Sequence, residues 1–189
     1  MKMDHATQMK TQADARARAP MPLGNVKLKS TWQFECRDRY GTLKWVDEIE
    51  ANLVVNVGLD DVLDKYFKGS SYTAAHYIGL TDGTPTVAAG DTMSSHAGWT
   101  EVTAYDEGTR GAPTWGNVSG QSLDNSGSPE VFTISSNDTT IGGAFLSTDS
   151  EKGGSSGTLY GGGAFSAGDK TLDDDDTLSV TVTLTASAS

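Results

Sequence analysis

The 189-residue chain is poor in several things at once. It has a single cysteine, Cys36, which excludes an internal disulfide framework and any multi-cysteine metal site. Five prolines stand against 22 glycines, and aromatic residues make up only 8%. Positive charge is nearly missing from the C-terminal part, where residues 70–189 carry only Arg110, Lys152 and Lys170. A folded body of that kind lacks the basic footprint that nucleic acid requires. No apolar run reaches the length of a membrane span, and the first residues lack the apolar core of a secretory signal. The expected protein is therefore soluble and made without export.

What is present points to β structure. Abundant glycine, with polar clusters at short intervals, suits many short strands joined by tight turns. Charge is divided along the chain: Lys2, Lys10, Arg16, Arg18, Lys27 and Lys29 mark a basic N-terminal arm over residues 1–29, whereas the whole chain has a net charge of −11. The arm has few large apolar residues and folds only with outside support, so its basic residues are the candidates for binding a partner, including the acidic body of a neighbouring copy. Residues 30–189 read as one β-rich domain.

Within that domain Trp32, Phe34 and Cys36 alternate with Gln33, Glu35 and Arg37, followed by a turn at Asp38–Gly41 and by Leu43 and Trp45, which predicts a hairpin. A further strand over Asp47–Val55 runs into a helix. Strands are predicted at 76–80, 99–105, 130–135, 141–146, 158–160 and 178–185, the last with Leu178, Val180, Val182 and Leu184 on one face. Between Asn52 and Gly69 the apolar residues Leu59, Val62, Leu63, Tyr66 and Phe67 fall on one stripe of a short α-helix, at about residues 59–68, and that stripe is expected to pack on the sheet. The expected architecture is mainly β: an antiparallel β-sandwich or jelly-roll-like domain with one short helix and an extended arm.

Candidate chemistry is thin. Gly153-Gly154-Ser155-Ser156-Gly157 matches a nucleophile elbow in letters but lies in a Gly/Ser loop without the helix that motif needs. His76 and His96 have no orienting carboxylate at a diagnostic spacing. Asp173–Asp176 lacks the alternation of a calcium loop and reads as a solvated turn. Cys36 reads as a small buried residue. No catalytic residue, metal or cofactor is expected, and the protein is read as a non-enzyme.

Four segments carry a family resemblance: WQFECRDRYGTLKWVDEIEANLVVNVGLDDVLDKYF at 32–67, YIGLTDGTPTVAAGDTMSSHAGWTEVTAY at 77–105, IGGAFLSTDSEKGGSSGTLYGGGAF at 141–165, and the closing DTLSVTVTLT. Together they resemble virion structural proteins of tailed bacteriophages. That resemblance implies a cement or decoration protein, made in the host cytoplasm and bound to the capsid surface. Its implied partners are the major capsid protein and copies of itself, as a homo-oligomer in the virion. A neck, tail or fibre-base component is the alternative. A carbohydrate-binding jelly roll, with Trp99 and Trp115 as exposed platforms, is the second.

Overall fold

The computed structural model describes residues 26–50, 52–72 and 75–188. Among the described residues it is mainly β, with antiparallel pairings and one short helix. The core belongs to the compact unit Leu28–Ala186. The strands are β1 Val26–Arg37, β2 Leu43–Ile49, β3 Leu53–Val54, β4 Tyr77–Thr81, β5 Glu101–Val102, β6 Ser122–Asp124, β7 Glu130–Thr133, β8 Thr139–Ile141, β9 Gly143–Ser147, β10 Leu159–Ala164, β11 Lys170–Leu172 and β12 Thr177–Ala188. Helix α1 spans Asn56–Val62 and passes into a π-helical turn at Leu63–Phe67.

One sheet runs β2-β1-β12-β6, with β7 pairing another stretch of β12; the other runs β3-β10-β9-β4-β5; β8 and β11 form a small separate ladder. The predicted hairpin is present, with Trp32 opposite Ile49 and Cys36 opposite Trp45, and with Asp38 Oδ1 accepting from the Tyr40 and Thr42 amides to close its turn. Trp32, Phe34 and Cys36 are buried as the alternation predicts, and so are Leu178, Val180 and Val182 on β12. They share one apolar cluster with Ile78, Leu80, Ala144 and Leu146 of the second sheet.

The second sheet is covered on both faces. Ala144 and Leu146 face the shared core, while Phe145 between them joins Val55, Met93, Trp99 and Leu159 in a separate cluster. That is why all five residues of β9 are buried and the strand reads as a continuous apolar run instead of an alternation.

Two expectations change at glycines. The single strand predicted over 141–146 is two strands in different sheets, broken at Gly142, where a Cβ would sit 1.4 Å from the Gly83 carbonyl oxygen. The helix is displaced more consequentially. It begins at Asn56, and its buried residue is Gly58, seated against the backbone of Leu159 and Tyr160 with no room for a side chain. Of the expected packing stripe only Val62 is part-buried; the rest faces solvent, with Leu59 40%, Leu63 58%, Tyr66 83% and Phe67 75% exposed. The 3.6-residue period located one apolar face correctly; the backbone contact at Gly58 decides that another face docks.

Candidate functional site

The helix stands on the sheet through three attachments. Val55 is buried in the smaller cluster just before the first turn. Gly58 permits close approach to β10. The Tyr160 hydroxyl donates to the Asp61 carboxylate at 2.5 Å. Tyr160 is held protonated: burial raises its pKa, and the hydrogen bond to Asp61 and its charge raise it further.

Beyond Val62 the helix widens, with the Lys68 amide bonding the Leu63 carbonyl five residues back at 3.1 Å. Such π-turns frequently accompany functional surfaces. Tyr66 and Phe67 meet edge to face at 5.5 Å on the outside of this turn. Tyr72 beyond it is also exposed. Asp60 and Asp64 lie toward the N-terminal part of the segment and Lys65 and Lys68 toward its end, with Lys68 bonded to Asp64 at 2.8 Å. The result is an aromatic ridge bordered by acids and lysines, with Asp60 near its start, Lys68 near its end and Asp64 and Lys65 side by side between them.

A second feature is an open cleft of about 370 Å³ between the two sheets. Its walls include Leu28, Val54, Leu146 and Leu184, with Val62 and His76 near the helix side. Burial lowers the His76 pKa, offset in part by Asp61, and its ring meets Tyr160 edge-on at 4.8 Å.

The residues singled out from sequence fare differently. Lys2, Lys10, Arg16 and Arg18 lie outside the described residues. Lys27 and Lys29 are exposed on β1, so the end of the expected arm is strand here. Cys36 is buried, its thiol pushed up to about 12 by burial and by the neighbouring Asp176 charge, as an inert cysteine should be.

The Gly153–Gly157 loop joins two strands, β9 and β10, with no helix after it. His96 stacks on Trp99 at 3.6 Å and bonds the Trp99 carbonyl through Nδ1. The acidic run is not simply solvated, because Asp176 is buried and accepts from Lys44 Nζ at 2.5 Å, while Asp173 accepts from the same ammonium at 3.2 Å. Among the described residues no group of three or more His, Cys, Asp or Glu side chains is arranged to hold a metal ion. No helix among them is long and apolar enough to cross a membrane.

The expected sugar platforms are corrected. Trp99 is only 7% exposed and packs against Phe145 at 4.8 Å, and Trp115 is half-buried against the main core. Each ring is used for packing, the commoner fate of tryptophan beside a strand core.

The sequence reading did not single out Arg110. It is 1% exposed and places all five N–H groups: Nε and Nη2 on the two Glu101 oxygens at 2.8 and 2.7 Å, and the others on Ser147 Oγ, Asp149 O and Gly154 O. It clasps the Gly/Ser loop to β5. No local spacing announces such a partner set, since its members lie up to 44 residues away.

No family model, curated protein or solved structure matches this chain. That finding overturns the bacteriophage, virion and capsid-decoration identity suggested by the four segments, and the identity is withdrawn.

Proposed function

We propose that this chain is a non-catalytic assembly protein, acting by stoichiometric association of its rigid β body with a second copy of itself. We read the two large sheets, which share one core, as the layers of a β-sandwich that presents the helix and π-turn as a docking ridge. The observation that carries the proposal is the outward apolar stripe Leu59, Leu63, Tyr66 and Phe67. Contiguous exposed apolar side chains, aromatics above all, mark interaction surfaces in proteins that otherwise keep such groups inside.

Charge favours a second copy as occupant. A two-fold contact brings the same ridge together in antiparallel sense, so that Asp60 and Asp64 of one copy approach Lys65 and Lys68 of the other. The same arrangement centres the contact near Leu63 and lays Tyr66 and Phe67 of each copy against the Leu59 end of the other, so that aromatic surface is covered on both sides of the axis. Sedimentation velocity on the full chain tests this: the wild type should show concentration-dependent self-association, and Phe67→Glu should weaken it at least tenfold. A wild type that stays monomeric throughout, or a variant that associates equally well, would reject the ridge as the contact.

A further inference from the structure

We propose that the inter-sheet cavity is a binding site for one medium-length alkyl chain ending in a hydrogen-bond donor, such as a primary alcohol. Three observations converge on it, none of them involving the docking ridge.

The first is size. Close packing leaves few gaps larger than a water molecule, whereas this cleft, open to solvent beside exposed Lys29, Val118 and Gln121, measures about 370 Å³. An apolar cavity of about 150 Å³ accepts benzene, so this volume has room for roughly a dozen carbons. The second is the wall. Leu28, Val54, Val62, Leu123, Leu146 and Leu184 supply aliphatic surface from both sheets and the helix. A flexible hydrocarbon chain can follow such an aliphatic wall. His76, held toward its neutral form by burial, adds little charge there.

The third is a polar pair at one place on the wall. Ser30 Oγ accepts from Trp32 Nε1 at 3.0 Å and from Asn52 Nδ2, while Asn52 Oδ1 is buried without any partner. Ser30 and Asn52 both line the cavity. A buried acceptor left unmade is costly, and a ligand hydroxyl reaching Asn52 would satisfy it. This assigns orientation: head group at Asn52, chain toward Leu146 and Leu184.

The test is methyl NMR on the full chain titrated with 1-octanol, with calorimetry for affinity. Saturable shifts confined to Leu28, Leu123, Leu146 and Leu184 are expected, leaving the Leu59 and Leu63 methyls still. Leu184→Trp, at a half-buried position, should abolish binding by filling the space. Asn52→Val should weaken octanol three- to tenfold, while changing the affinity for hexane by less than twofold. Absence of saturable binding by the wild type, shifts centred on the helix ridge, or equal losses for octanol and hexane in Asn52→Val would each overturn the assignment. Because the shifts are read first in the wild type, the result does not depend on either variant folding.

Discussion

The Tyr160 hydroxyl and the Asp61 carboxylate meet at 2.5 Å across 99 residues of sequence, and this contact helps set which side of α1 rests on the sheet. With Asp61 tied down and Gly58 against the β10 backbone, the Leu59–Phe67 stripe can only point away. Tyr160→Phe should therefore cost about 1.5–3 kcal/mol, the usual worth of a hydrogen bond to a charged group. Gly58→Ala should cost about 1–3 kcal/mol, since its Cβ would lie 2.8 Å from Tyr160 Cα. Leu63→Ala, in contrast, should change stability by less than about 0.5 kcal/mol in dilute protein. Urea unfolding measures all three, and a Leu63 cost in the buried-leucine range would mean that the stripe packs inward.

Arg110 and Glu101 form a pair that is nearly closed to solvent. Removing one partner strands a buried charge, so Arg110→Met should destabilise by about 3–5 kcal/mol. Arg110→Lys should recover little, because an ammonium cannot span the two Glu101 oxygens and three other acceptors. The double variant Arg110→Met with Glu101→Leu should cost less than the sum of the two single changes. Additive losses in a double-mutant cycle would mean that the two side chains act independently.

Asp47 and Lys170 provide a pH signature. Their charged atoms lie 2.8 Å apart, with Asp47 almost fully buried. Burial pushes the Asp47 carboxyl up, but the ion pair with Lys170, with the hydrogen bonds from the Glu48 and Ala167 amides, outweighs it and leaves the group below its ordinary value. A carboxylate lowered on folding stabilises above its unfolded pKa, and that stabilisation is lost as pH falls through the folded one. Lys170→Met should thus destabilise most above the ordinary carboxylate range, and the difference from wild type should shrink as pH falls below it. A difference constant across that range would exclude the pair as its source.

The β elements were legible where one face is dry and the other wet. Trp32, Phe34, Cys36 and the Leu178–Val182 series follow the two-residue period and are buried accordingly. β6 and β11, three residues each, carry too little pattern to register. The strand break at Gly142 depends on a carbonyl from Gly83, far away in sequence, which no local pattern contains. The helix was legible as a helix but not in its orientation, because apolar periodicity locates a stripe without saying what covers it. The candidate ridge thus emerged from a failed packing expectation. The cavity, the Arg110 clasp and the Tyr160–Asp61 contact all arise from long-range juxtaposition.

The most direct measurement is disulfide trapping at position 63. Cys36 is buried, with its thiol pushed up to about 12, so a cysteine introduced by Leu63→Cys would be the reactive one at neutral pH. In a two-fold contact centred on the ridge, residue 63 lies near its own copy, within the 4.4–6.8 Å Cα separation a disulfide accepts. Mild oxidation of the full-length variant should give a covalent dimer rapidly, and excess wild-type chain should slow the reaction. Val131→Cys, exposed on β7, is the reference for random collision. Cross-linking of Leu63→Cys no faster than that of Val131→Cys would contradict self-association through the helix ridge.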